Sequence, residues 1–157
     1  MFKRLMGCLT CAVMAQGVAA EPPAGQKISR AGSVPATQGP AEFFTGTVSV
    51  TPAFPATDGI QASGGHVTFQ AGARSAWHTH PAGQHLLVTA GVGLTQEWGK
   101  PIQEIKAGDV IWCPPGIKHW HGASPESPMT HLAITGALNG KYVDWLEKVS
   151  DEQYRAR

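Results

Sequence analysis

The sequence predicts an all-β domain, a sandwich or barrel with one short C-terminal helix. Glycine and proline are frequent, at 19 and 12 residues, while charged residues make up only 15% of the chain. This composition is more typical of a turn-rich β protein than of a helical bundle. From residue 42 onward, short runs of β-branched and aromatic residues alternate with turns that contain Gly or Pro. Many short strands at regular spacing indicate a sandwich or barrel.

The first 20 residues have the pattern of a secretory signal peptide. Lys3 and Arg4 precede an apolar run that extends to Ala15, and a small-residue cleavage site ends at Ala20. The apolar run is too short to serve as a permanent membrane anchor. We therefore expect a periplasmic or secreted protein. The alternative is a lipoprotein signal at Cys8, which is disfavoured because no adequate apolar region precedes that cysteine.

Charge and cysteine content exclude several classes of protein. The formal net charge is +1 and no block of like charge occurs. The chain therefore lacks the basic surface typical of nucleic-acid binding, and after signal removal no membrane partner is expected. Cys113 is the single cysteine left in the mature chain, so no intramolecular disulfide can form. It lies in a strand-like run, which favours a packed thiol over a nucleophile.

The chain is expected to divide into the signal at 1–20, a flexible arm at 21–40 and a barrel domain at 41–157. The arm is rich in Pro, Gly, Ala and Ser and has no sustained apolar period. The predicted strands of the barrel, in order, are Phe43–Val50, His66–Phe69, Trp77–His80, His85–Thr89, Gly93–Trp98, Ile102–Ile105, Val110–Cys113, Lys118–Gly122 and Met129–Thr135.

Two local features complete the predicted architecture. A turn at Ala90–Gly91 is expected to separate the fourth and fifth strands. Apolar residues at 142, 145, 146 and 149 recur at helical spacing, which predicts a terminal helix over 142–149. Trp145 and Val149 would pack this helix on the barrel.

Two glycine-bounded blocks carry a candidate metal site. The first extends from Gly72 to Gly91 and the second from Gly108 to His121. Side chains two residues apart on a strand point the same way, so a His-x-His pair presents two imidazoles on one face. An amide oxygen after a turn and an imidazole from a distant strand complete a plausible N/O site. The predicted ligands are His78, His80, Gln84 and His119.

The charge of this ligand set suggests its chemistry. Three imidazoles and one amide are all neutral, so they leave the charge of a divalent ion largely uncompensated. Such a centre should attract an anion such as an alkoxide or cyanide and act as a Lewis acid.

The spacing of the two blocks resembles the two cupin motifs. Gly72-x5-His78-x-His80-x3-Gln84-x6-Gly91 resembles the first motif, and Gly108-x5-Pro114-x-Gly116-x2-His119 resembles the second. The resemblance implies a single-domain cupin, a jelly-roll β-barrel with the ion inside. Two positions depart from the usual pattern: Gln84 replaces a glutamate ligand, and Ala123 replaces an asparagine. The first departure argues against a simple copy of glutamate-liganded cupin dioxygenases.

A closer resemblance covers nearly the whole mature domain and is to the bacterial cupin hydroxynitrile lyases. It implies reversible cleavage of an (R)-cyanohydrin, such as mandelonitrile, into an aldehyde and hydrogen cyanide. It also implies a manganese-type ion held by three His and one Gln, with iron or zinc as alternatives. The segments that carry the resemblance are Glu42–Val48, Ala76–Pro81, Gly108–Val110, Pro115–Gly122, Met129–Ile134 and Val143–Tyr154.

Two further histidines are candidates for proton transfer. His121 lies two residues after His119 and would face the same cavity, while His131 begins another predicted strand. Cyanohydrin cleavage needs an acceptor for the hydroxyl proton and a counter-charge for cyanide, and either imidazole could serve. The alternative for His121 is a supporting or packing role.

The substrate pocket is expected to be lined by Gly65, Val67 and Thr135, by resemblance, with Ser75 as a further polar candidate near His78. Two of these residues are small and leave room for an aryl group. Other prominent side chains are expected to be structural: His66 and His85 as structural or exposed residues, and Trp77, Trp112 and Trp120 in the core.

Other functions remain open at this level. One is a ferrous dioxygenase or sugar-processing cupin, which Gln84 weakens because it removes a carboxylate from the site. Another is a secreted module that uses the ion to hold a small anionic metabolite. In each case the partner is a small molecule, and by resemblance the chain is expected to form a dimer or tetramer.

Overall fold

The computed structural model describes residues 25–57 and 59–156, so the predicted signal peptide lies outside the described residues. The all-β prediction is confirmed within this part of the chain. In it, no helix is both long and apolar enough to cross a membrane. The strands are β1 (Thr37–Gln38), β2 (Phe44–Thr45), β3 (Val48–Phe54), β4 (Ala62–Phe69), β5 (Arg74–Ser75), β6 (His78–Thr79), β7 (Gln84–Glu97), β8 (Gln103–Lys106), β9 (Val110–Cys113), β10 (His119–Ala123), β11 (Met129–Gly136) and β12 (Asp144–Trp145), followed by helix α1 (Asp151–Arg155).

The strands form a curled antiparallel sheet whose main path is β1-β3-β4-β11-β7-β10-β5-β2. The other strands pair alongside: β8 and β9 with β7, and β6 with both β10 and β12. The first part of β7 pairs with β11 and β9, and its last part pairs with β8 and β10. Strand β7 therefore passes from one half of the barrel to the other and joins them.

The expected turn at Ala90–Gly91 is wrong, because the two predicted strands on either side form the single strand β7. Gly91 instead bends the strand: its φ is 75°, in the left-handed region that favours glycine. A Cβ at this position would overlap the backbone carbonyl oxygen of Pro128. The sequence correctly marked Gly91 as a special backbone position, but the bend redirects the strand without ending it.

Part of the predicted arm forms backbone hydrogen bonds with the barrel. Thr37 and Gln38 form β1 and pair with Val50 and Ser49 of β3, and the backbone N–H of Gly39 donates to Val48. Residues 25–38 are exposed.

The predicted helix over 142–149 is wrong. Asp144 and Trp145 form β12, which pairs with β6. The backbone N–H of Leu146 then donates to Trp77, and that of Trp77 donates to Glu147. Because the backbone groups of this segment pair with a neighbouring strand, they are not free to form helical hydrogen bonds. The short helix α1 begins later, after a capping box between Ser150 and Gln153.

Two clusters of buried side chains fill the barrel. One joins the two halves and contains Val48, Phe69, Val88, Ile105 and Met129; the other contains Trp77, Leu94, Trp120, Val149 and Tyr154. Val149 is thus buried as expected, although not on a helix.

Two other side chains were expected in the interior. Cys113 is buried, and its burial raises the pKa of the thiol to about 12, in agreement with a packed thiol. Trp112 is 48% exposed, so its assignment to the core is wrong. Strand alternation explains the contrast, since Trp112 and Cys113 are consecutive and point to opposite faces of β9.

Candidate metal centre

Three histidines converge inside the barrel. Strand β6 carries His78, which pairs in register with His119 of β10, and the two rings lie 4.3 Å apart. His80 follows directly after β6 and points to the same place. The ligand atoms of His78, His80 and His119 all lie within 4.8 Å of one another, and all three residues are buried. This cluster is able to hold a metal ion.

Backbone carbonyls fix the tautomer of each ring. Nδ1 of His78 donates to Ala76, 2.9 Å away, and Nδ1 of His119 donates to Ile117, 3.0 Å away. His80 donates in the same way to Tyr142, at 2.7 Å. A carbonyl oxygen can only accept, so the proton of each ring is on Nδ1 and the lone pair is on Nε2. Each of the three rings can therefore bind a metal ion through its unprotonated Nε2.

Gln84 completes the arrangement expected from the sequence. It is buried at the start of β7, and its Nε2 donates to Oγ1 of Thr135, 2.9 Å away. Its Oε1 is buried without a hydrogen-bond partner, as are Nε2 of His80 and Nε2 of His119. Buried acceptors without partners are costly, and a cation at this point would satisfy all three. The residues present thus fit a bound divalent ion.

Burial keeps these histidines neutral. It lowers the pKa of His119 to about 4, lowers that of His78 well below its usual value, and lowers that of His80. No Asp or Glu lines the cavity among the described residues. The site therefore combines neutral ligands with no balancing carboxylate, as the sequence suggested.

A second pair of histidines lies beside the cluster. Nε2 of His131 and Nδ1 of His121 are 3.2 Å apart, so one ring donates to the other. The ring of His121 is 5.2 Å from that of His78, and both members of the pair are buried. Burial lowers the pKa of His131 to about 4 and that of His121 well below its usual value. The structure thus joins the two candidate bases into one hydrogen-bonded unit.

A cavity of about 790 Å³ opens onto this site. His78, His80, Gln84, His121 and His131 all line it, so both sets of candidate functional residues share one space.

Three of the four expected pocket residues, Gly65, Val67 and Thr135, also line the cavity. Ser75 does not: it is fully buried, and its Oγ accepts a hydrogen bond from the backbone N–H of His121. Its role in this structure is to support His121, because it lies on β5 beside the strand that carries that residue.

Comparison with known proteins agrees with this geometry. Residues 65–135 match the model of the cupin domain. A curated protein of Granulicella tundricola, named (R)-mandelonitrile lyase, is 57% identical over 129 residues, which cover 82% of this chain and 98% of that protein. This chain belongs to the cupin family.

Solved structures of other proteins show the same fold. A cupin-like protein from Thermotoga maritima is 40% identical, with a TM-score of 0.73 over 76% of this chain and 91% of that one. A polyketide cyclase from Streptomyces resistomycificus is only 16% identical, with a TM-score of 0.61 over 83% and 91% of the two chains. The second likeness supports the fold alone, because one fold hosts many activities.

The structure adds residues to this cupin site that the sequence did not indicate. The cavity is also lined by Val34 and Pro40 of the arm and by an aromatic group made of Phe43, Phe44, Phe54, Tyr142 and Trp145. The chain segments that bear them are far apart in sequence, and no motif spacing connects them to the histidines. By contrast, His66 and His85 are exposed and lie away from the metal centre, as expected.

Proposed function

We propose that this cupin is a lyase that reversibly cleaves (R)-cyanohydrins into an aldehyde and hydrogen cyanide. The observation that carries this proposal is a set of neutral acceptors without hydrogen-bond partners, which lies in a largely apolar cavity beside a hydrogen-bonded pair of histidines. The (R)-mandelonitrile lyase of Granulicella tundricola, at 57% identity over almost its whole length, supports this activity. The substrate is thus a small molecule that places an oxygen beside these polar groups.

We propose that the ion is manganese, held by His78, His80, His119 and Gln84. Three imidazoles and an amide oxygen suit a divalent first-row metal, and an oxygen ligand favours a harder ion. When bound, the ion supplies Lewis-acid stabilisation of negative charge on oxygen. The absence of a carboxylate among these four residues leaves the centre cationic, which suits an alkoxide.

The chain's own residues account for the movement of the proton. The His121–His131 pair takes the hydroxyl proton of the cyanohydrin, and the electron pair released from that O–H bond forms the carbonyl. The C–C bond breaks, and its electron pair leaves on cyanide. The imidazolium then returns the proton to cyanide, which gives hydrogen cyanide. One imidazole can serve in both steps, as general base and then as general acid, because both rings are neutral at the start.

The proposed function is tested by a cleavage assay on mandelonitrile with protein of known metal content. Wild-type protein loaded with manganese should release benzaldehyde and cyanide, while His80→Ala should retain no metal and show no activity above background. Gly59→Ala is the matched control, because a Cβ at Gly59 meets nothing within 4 Å. Absence of turnover with full manganese or iron occupancy would overturn the lyase assignment. Normal metal content in His80→Ala would overturn the site.

We also propose that the mature protein is exported and forms a dimer or tetramer. An apolar patch on the outer face of the barrel supports association: Leu87 is paired in register with Val110, and both are exposed, as are the neighbouring Trp112 and Ile134. Mass spectrometry of the secreted protein tests cleavage near Ala20. Light scattering coupled to gel filtration tests the oligomeric state, and a monomer at micromolar concentration would contradict the second proposal.

A further inference from the structure

The cavity is larger than mandelonitrile, the compound in the name of the Granulicella tundricola relative. Mandelonitrile has ten non-hydrogen atoms. Bonded atoms occupy less space than separate water molecules, each of which takes about 30 Å³ in the liquid, so about 300 Å³ is an upper bound for its volume. The cavity holds about 790 Å³. Apart from the histidines and Gln84, the residues that line it are mostly apolar, so a large apolar volume remains beside the reacting groups.

Aromatic side chains surround this remaining volume. The rings of Phe43 and Trp145 stack with centroids 4.7 Å apart and an angle of 11°, and Trp145 also lies 4.9 Å from the ring of His78. Phe44 meets Trp145 edge to face at 5.6 Å. These contacts fix a rigid aromatic wall beside His78. Flat apolar groups are well matched to such a wall.

A β-bulge in β3 shapes another part of the cavity lining. Along β3, Val50 and Pro52 pair in order with Val67 and Gly65, but Phe54 pairs with Gly64, so Ala53 is an extra residue. Bulges frequently re-aim a side chain next to an active site. Pro52 has no N–H to contribute to the ladder, and it is tolerated beside the bulge because the regular ladder is interrupted there.

The orientation of the Phe54 ring depends on Gly64. A Cβ at Gly64 would overlap the Phe54 ring, so the ring occupies the space that the missing side chain leaves. Phe54 is 39% exposed and lines the cavity together with its partner glycine. An aromatic ring held in this way, half in solvent and at the rim of an apolar cavity, is positioned to contact a ligand that extends outward.

We propose that this cupin prefers aromatic cyanohydrins and aldehydes whose aryl group is larger than one phenyl ring. In this arrangement Phe54, seated on Gly64, contacts the distal ring of the substrate and determines specificity. The inference rests on the proposed function, since it assigns the substrate class of the same site. It predicts that the aromatic rim affects binding of extended substrates and leaves the chemical step unchanged.

The experiment compares the cyanohydrins of benzaldehyde and 2-naphthaldehyde in the manganese-loaded protein. The variants are Phe54→Ala and Gly64→Ala, with Gly59→Ala as the matched control. In wild type, KM should be lower for the naphthyl substrate. Phe54→Ala should raise that KM about tenfold, the size of one lost aromatic contact, and should raise the KM for mandelonitrile by a clearly smaller factor. Gly64→Ala should act in the same direction because it displaces the ring. Gly59→Ala should change neither value.

Binding of the two free aldehydes, measured by calorimetry, separates this inference from the proposed function. A selective loss of 2-naphthaldehyde affinity in Phe54→Ala supports the rim assignment, even if no variant cleaves any cyanohydrin and the lyase proposal fails. The inference is overturned if wild type binds benzaldehyde as tightly as 2-naphthaldehyde, or if Phe54→Ala weakens both aldehydes equally. Because Phe54 is partly exposed, its replacement by alanine is expected to leave the fold intact.

Discussion

At the residue scale, the site depends on hydrogen bonds that decide which atom of each side chain faces the cavity. Three histidines donate from Nδ1 to backbone carbonyls, so each presents a bare Nε2. Gln84 achieves the same result through Thr135, which takes its amide N–H and leaves Oε1 toward the centre. Loss of such a supporting hydrogen bond typically weakens metal affinity by about ten- to a hundredfold.

Thr135→Val is expected to weaken metal binding by about ten- to a hundredfold. The valine keeps the shape but removes the acceptor for Nε2 of Gln84, so the amide is free to turn its N–H groups toward the ion. Isothermal titration of the metal-free protein with Mn²⁺ measures the change. Thr135→Ser retains the hydroxyl and should bind close to normally. Equal loss of affinity in both variants would indicate a packing effect and contradict this role.

His131→Ala is expected to keep the metal but to slow mandelonitrile cleavage by roughly two to four orders of magnitude, the usual contribution of a general base. The expectation follows from the hydrogen bond that joins His131 to His121 and from the position of both rings in the cavity. The assay is run with metal content measured on the same sample. An unchanged rate would contradict this role and would assign the general base to His121 alone or to solvent.

At the element scale, two segments position the centre. Strand β7 begins at Gln84 and continues through the bend at Gly91 into the other half of the barrel, so one element supplies a candidate ligand and joins both halves. The segment that contains β12 holds the strand of the His-x-His pair: it pairs with His78, and the carbonyl of Tyr142 accepts from His80. Arg74 fixes the end of this segment by donating twice to the carbonyl of Val149.

Gly91→Ala is expected to destabilise the protein by roughly 3 kcal/mol. The new Cβ would overlap the carbonyl oxygen of Pro128, and the positive φ is itself strained for alanine. Urea unfolding followed by tryptophan fluorescence gives the free energy of unfolding. Gly59→Ala, where the added methyl meets nothing within 4 Å, should change it by less than about 0.5 kcal/mol. A loss below about 1 kcal/mol in Gly91→Ala would mean that the bend does not require glycine.

At the scale of the whole molecule, folding buries five imidazoles in one barrel. His78, His80, His119, His121 and His131 all have lowered pKa values, with burial as the largest cause in each case. Without a cation or an acid nearby, the interior tolerates these rings only in the neutral form. The stability of the metal-free protein is therefore linked to pH.

The free energy of unfolding of the metal-free protein is expected to fall as the pH drops from about 6.5 toward 4. An unfolded histidine takes up a proton near its ordinary pKa of 6.5, whereas folded His131 stays neutral down to about pH 4. Acid therefore favours the unfolded chain in this interval, by about 1.4 kcal/mol per pH unit for each such histidine, and stability is complete above it. Urea unfolding between pH 4.5 and 8 measures the slope.

His131→Asn provides the comparison for this pH dependence. It removes one titrating group, so its slope should be smaller than that of wild type by the contribution of one histidine. A slope equal to that of wild type would show that His131 is not the source of the pH dependence.

The sequence by itself determined the β-barrel class and the three histidines that cluster in the candidate metal centre. Glycine-bounded turns and a His-x-His pair are local patterns: a strand's alternation places His78 and His80 on one face whatever surrounds them. The tertiary structure alone decided that Gly91 bends a strand without ending it and that residues 144 and 145 pair with β6 in place of the predicted helix. It also decided that Phe54 and Trp145 frame the cavity. These outcomes depend on partners distant in the chain, whose backbone hydrogen bonds and packing override local periodicity.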